Sequence, residues 1–131
     1  MSAAARAMPR EITVLYDAQC NVCRSARDWL REQPVYVPFR FVAAGSTAAR
    51  RLYPSLDHEA TLRDITVIDD AGRMFTGPKA WVMCLWATKE HRAQAIRLTT
   101  PALWPLAKRF IGWVSTHRTS LGGIGQLVLG H

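Results

Sequence analysis

Apolar positions along the chain follow first a strand pattern and then a helical one. Residues 11–16, Glu11-Ile12-Thr13-Val14-Leu15-Tyr16, form a short apolar, β-branched run that predicts a buried strand. From Asn21 the period changes. Val22, Ala26, Trp29 and Leu30 recur at helical spacing, with Arg24, Arg27, Asp28 and Arg31 between them, which predicts a helix over 21–32 stopped by Pro34. Residues 35–43 are strand-like, with Pro38 marking an irregular start or an edge. Gly45-Ser46 reads as a turn and N-cap for a short helix over 47–53, ended by Pro54.

A polar stretch over 55–63 leads to a strand over 65–68. Asp69-Asp70-Ala71-Gly72 has the composition of a hairpin turn, with 73–76 as the returning strand. Pro78 sits where proline suits a first helical turn, and the helix it opens carries Trp81, Val82, Leu85 and Trp86 to about residue 90. Residues 101–116 predict a further apolar-striped helix. The order is β-α-β-α-β-β-α plus a C-terminal helical extension. A helix between the first two strands requires a parallel crossover, and a tight turn between the last two makes them antiparallel. An α/β, thioredoxin-like fold with a mixed four-stranded sheet is the expectation.

Length and composition narrow the picture. At 131 residues, with 49% hydrophobic and 21% charged content, the chain has the make-up of one folded domain. The domain is expected over 11–118, with a flexible N-terminal tail over 1–10 and a Gly-rich tail over 119–131. The longest uninterrupted apolar run, 80–87, is eight residues, against about 20 for a membrane span. No apolar core of a signal peptide precedes Arg10. The formal charge is +7, from 14 Arg and 3 Lys against 10 acidic residues. With no Lys/Arg run and no RNA-binding aromatic motif, nucleic acid is not an expected partner. Three Cys fall far short of a disulfide scaffold, which points to a reducing, cytoplasmic setting.

Cys20-Asn21-Val22-Cys23 lies just after the first strand and in the first turn of the first helix. There the unpaired N–H groups and the positive dipole end favour a thiolate at Cys20. The two-residue spacing brings both sulfurs to one side of a helical turn. Cys20 could attack a disulfide and Cys23, less accessible one turn in, could resolve the product. Zinc would need two further ligands from Cys84, His58, His91, His117 or His131, and neither a second C-x-x-C nor an H-x₃₋₅-H is present. Position 24 is Arg, not the His of a covalent haem motif. No metal or other cofactor is expected.

Asp17, three residues before Cys20, has two readings: a proton acceptor for a thiol, or an Asx turn that fixes the loop. Cys84 lies in an apolar helix stretch and reads as a buried, inert thiol. His58, His91 and His117 share no spacing and read as surface residues. The apolar stripe at 103, 106, 107, 110, 111 and 114, with Lys108 and Arg109 off it, packs on its own domain or lies on a membrane surface or a partner.

The run Tyr16-Asp17-Ala18-Gln19-Cys20-Asn21-Val22-Cys23 resembles the D-x-x-C-x-x-C signature of the DCC family of predicted thiol-disulfide oxidoreductases. The similarity continues through Phe39-Arg40-Phe41, Thr66-Val67-Ile68-Asp69 and Phe75-Thr76-Gly77-Pro78-Lys79-Ala80. It implies a thioredoxin-like fold and dithiol/disulfide exchange, with Asp17, Cys20 and Cys23 as the functional positions. A protein or small-molecule thiol or disulfide would be the substrate. Thioredoxin's proline before the third strand is replaced here by Arg63-Asp64, and its Gly-Pro between the cysteines by Asn21-Val22. A non-catalytic adaptor, with the pair as a switch and the C-terminal helix binding a partner, is the other class the residues leave open.

Overall fold

The centre of the fold is β1 (Ile12–Tyr16), which is hydrogen-bonded along both edges. It runs parallel to β2 (Phe39–Ala43) and antiparallel to β3 (Thr66–Asp69). With β4 (Met74–Thr76) antiparallel to β3, the sheet order is β2-β1-β3-β4. This computed structural model describes residues 9–117. The expected tails, 1–10 and 119–131, lie outside the described residues apart from Pro9, which is buried, and Arg10, whose amide donates to Asp70 Oδ2 at 3.2 Å.

Alternation along the strands sorts side chains into two cores. Ile12, Val14 and Val67 face a layer made by Leu30 of α1 (Asn21–Glu32) and by Ala80, Cys84 and Ala87 of α4 (Pro78–Ala87). Leu15, Val42 and Ile68 face the other side, covered by Ala49 of α2 (Thr47–Leu52) and Leu62 of α3 (Ala60–Arg63). Helices on both faces of a mixed four-stranded sheet form the α/β, thioredoxin-like arrangement expected from the element order.

The turn chemistry follows the sequence. Ser46 Oγ accepts the Ala49 amide at 3.1 Å and starts α2. Asp69 Oδ1 accepts the amides of Ala71 and Arg73 at 3.0 and 2.9 Å, and Asp69 Oδ2 pairs with Arg73 Nε at 2.7 Å. Gly72, at φ +84°, supplies the left-handed residue that this hairpin needs.

Three expectations are corrected. The helix opened by Pro78 stops at Ala87 and is followed by a separate α5 (Arg92–Leu98), then by α6 (Trp104–His117). The break is made by tertiary contacts. The Ala87 carbonyl accepts the amides of Tyr36 and Val37 at 2.8 and 3.3 Å, and Thr88 Oγ1 accepts the His91 amide at 3.1 Å. Those same bonds hold 35–37 against the end of α4, so β2 begins only at Phe39, after Pro38. His58 is not a surface residue. It is buried, with Nε2 at 2.9 Å from the Tyr53 carbonyl, because the polar stretch before β3 folds over the second core.

Leu30 locks α1 to the first core and is fully buried. Leu30→Ala should cost about 2–5 kcal/mol of stability in urea unfolding, as cavity-forming truncations do, and a loss below about 1 kcal/mol would show that α1 does not anchor this face.

Candidate functional site

β1 carries the chain to Tyr16, and a short loop then delivers Cys20 to the start of α1. Asp17 builds that loop twice over. Its carbonyl accepts the Cys20 amide at 3.1 Å, and its Oδ1 accepts the Gln19 amide at 2.9 Å. The second bond is an Asx-type turn, the loop-fixing arrangement of the two read for this residue.

Cys20 occupies the N-cap of α1, with extended backbone at φ −100° and ψ 123°. Helices usually cap this position with a Ser, Thr, Asp or Asn oxygen. Here a sulfur takes the place: Cys20 Sγ accepts the Cys23 amide at 3.4 Å. The Arg24 amide bonds the Cys20 carbonyl at 3.0 Å, which closes the first turn. The pair stands 3.2 Å apart, and both residues are free thiols of intermediate exposure. The Cys23 amide is aimed at the Cys20 sulfur.

Two arginines brace this loop. Arg24 Nη1 donates to the Ala18 carbonyl at 3.0 Å, and its Nη2 bonds Asn21 Oδ1. Arg27 donates to the Tyr16 hydroxyl at 2.9 Å, pairs with Asp28 at 2.8 Å and lies 4.9 Å over the Tyr16 ring. Burial opposes its charge, but the bonds to Tyr16 and Asp28 outweigh that and push its pKa up. Both cations hold the loop while keeping positive charge at the helix start.

Cys23 faces a small cleft of about 60 Å³, closed by Asp64 and Ile65 before β3, Pro78 and Trp81 of α4, and Ile111 and Val114 of α6. The stretch before β3, where thioredoxin carries its proline, thus lies across from the pair. No motif or spacing singles out these wall residues in the sequence. Trp81 and Ile111 read only as members of apolar helical stripes, and only the packing of three distant segments brings them to one place.

Cys84 lies elsewhere. It is fully buried between α4 and the sheet, and burial pushes its pKa up to about 12. Among the described residues no group of three His, Cys, Asp or Glu is placed to hold a metal ion. Nor is any helix of the described residues long and apolar enough to cross a membrane.

The profile of the DCC1-like thiol-disulfide oxidoreductases matches residues 14–124. The chain belongs to the DCC1-like thiol-disulfide oxidoreductase family. The match runs from within β1 across the cysteine loop, both cores and α6, so it covers every element that forms the cleft. No curated protein and no solved structure matches this family member.

The geometry makes Cys84 a protected thiol with a pH signature. In native protein a bulky alkylating reagent should modify Cys20 at least about tenfold faster than Cys84, and equal rates would mean that α4 does not cover the first core. A raised native value means that the folded state holds the thiol proton more tightly than the unfolded chain does. The stability this gives is complete below the unfolded value near 9 and is lost as pH climbs towards about 12. Cys84→Ala should therefore flatten the fall of stability with pH in that window, and an unchanged slope would contradict the burial.

Proposed function

We propose that this protein is a thiol-disulfide oxidoreductase in which Cys20 is the attacking thiol, Cys23 the resolving thiol and Asp17 a positioning residue. The observation that carries the reading is the Cys23 amide directed at Cys20 Sγ from the first turn of α1. A hydrogen bond to a sulfur anion is charge-assisted and stronger than one to a neutral thiol. The helix dipole adds to it within this turn. Family membership supports the same class of reaction.

In the reducing direction, the Cys20 thiolate attacks one sulfur of a partner disulfide. A Cys20–partner disulfide forms and the other partner sulfur leaves as a thiolate. Cys23 then attacks Cys20 Sγ, forming the Cys20–Cys23 disulfide and releasing the second partner thiolate. Two electrons pass to the partner, and the two thiol protons of the pair end on its two sulfurs. A second dithiol, or two equivalents of a glutathione-type thiol that leave as their own disulfide, restores the reduced pair, and the reverse sequence oxidises a dithiol partner. The substrate in this reading is a protein or small-molecule thiol or disulfide.

Cys23→Ser should accumulate mixed disulfides through Cys20, and Cys20→Ser should give neither turnover nor trapping. The opposite pattern would reverse the roles. If the wild-type pair never oxidises across a thiol redox-buffer series followed by alkylation, the adaptor reading replaces this one. Asp17→Asn keeps the oxygen that accepts the Gln19 amide, so its rate should stay within about threefold of wild type, whereas a loss of about 100-fold or more would mark Asp17 as a proton-transfer group.

A further inference from the structure

The apolar stripe of α6 is divided between two faces. Ala107, Ile111 and Val114 turn towards α4, whereas Leu103, Leu106 and Phe110 point outward and are 40%, 61% and 67% exposed. Trp113, 51% exposed, continues the outward row by the helical spacing. Beside Phe110 an apolar hollow of about 310 Å³ opens between α4, α5 and α6, lined by Trp81, Leu85 and Leu98. Large aliphatic and aromatic side chains exposed together in this way mark a surface that is covered by something.

Charge indicates what covers it. Residues 1–90 hold 12 basic and 10 acidic side chains, whereas 91–131 hold five basic and none acidic. The excess charge of the chain is thus concentrated in the part that carries the apolar face. Among the described residues the exposed Arg97 and Arg109 make no ion pair with a carboxylate. Arg109 borders the outward row on the helix surface.

We propose that the outward face of α6 docks onto an anionic lipid surface. Leu103, Leu106 and Phe110 would enter the boundary between headgroups and acyl chains, while Arg109 at the edge of the row and the exposed Arg97 of α5 meet lipid phosphates. A second copy of the chain fits the face poorly. The 103, 106, 110, 113 row spans fewer than two heptads, short of a coiled-coil seam, and pairing two such helices would oppose like charges with no carboxylate between them. The helix that docks also walls the Cys23 cleft through Ile111 and Val114. Docking would therefore hold the cysteine pair within about one helix diameter, 10–12 Å, of the headgroups. The proposal itself does not depend on the redox reading.

The test is co-sedimentation of the full chain with vesicles of phosphatidylcholine alone or with about 30% phosphatidylglycerol. At low salt, partition should be at least about tenfold stronger to the anionic vesicles, and it should weaken towards about 0.5 M salt. The double variant Leu106→Gln, Phe110→Gln should lose at least about tenfold of that partition while keeping its thermal unfolding and the protection of Cys84. Arg97→Gln with Arg109→Gln should lower binding to the anionic vesicles selectively. Equal partition to both vesicle types, or none, overturns the proposal, as does undiminished binding by the Leu106/Phe110 variant. A wild-type dimer in light scattering that the same variant converts to monomer would assign the face to self-association instead.

Discussion

Burial of β1 on both faces and hydrogen bonding on both its edges is the constraint from which the rest of the structure follows. Ile12 and Val14 seed one core and Leu15 the other, so the strand has no freedom to slip by one residue without exposing both sets. Because β1 is fixed, its end at Tyr16 is fixed. The loop that leaves it has five bonded anchor points in Asp17, Gln19, Cys20, Ala18 and Tyr16. The sheet thus fixes where the loop begins, and the loop's own bonds place the cysteine pair from there.

A cysteine at the helix N-cap caps the first turn through one contact, and the proposed reaction uses that same contact. An oxygen there would satisfy the helix start better, since sulfur is a weak acceptor when neutral. As a thiolate, the same sulfur makes a charge-assisted bond to the Cys23 amide. In the proposed reaction this bond would join the start of α1 to the attacking sulfur. Cys84 shows the reverse case: with no donor aimed at it and no solvent, its thiol holds its proton up to a pKa of about 12. Location in the fold separates the three thiols: Cys84 is buried in the first core, whereas Cys20 and Cys23 are half-exposed in the first turn of α1.

The second half of the chain answers a different requirement. α4 is apolar nearly all round because the sheet lies on one side of it and α5 and α6 on the other. α6 can use only part of its stripe against α4, since a helix presents about a third of its surface to one neighbour. What remains outward is large and apolar, in a stretch from which acidic residues are missing. The arginines of the first half, by contrast, are drawn into local work: Arg24 and Arg27 on the cysteine loop and Arg73 on Asp69.

The strands, α1 and the hairpin were legible in the sequence because local chemistry decides them. Alternation at Ile12–Tyr16, helical spacing from Val22 to Leu30, and the turn formed by Asp69 and Gly72 are each satisfied by neighbours in the chain. The position of Cys20 and Cys23 at a helix start was legible for the same reason, as was the Asx role open to Asp17. The end of α4 at Ala87 was not, because the groups that take its last carbonyl, the amides of Tyr36 and Val37, lie some fifty residues earlier. The burial of His58 was hidden for another reason: its partner, the Tyr53 carbonyl, is local, but the polar stretch that carries His58 packs inward only once the chain folds over Leu15 and Ile68. The walls of the Cys23 cleft, and the division of the α6 stripe into an inner and an outer face, were decided by the tertiary structure alone. Periodicity states which side chains share one side of a helix, but how much of that side a neighbour covers depends on the angle and width of contact with elements distant in the chain.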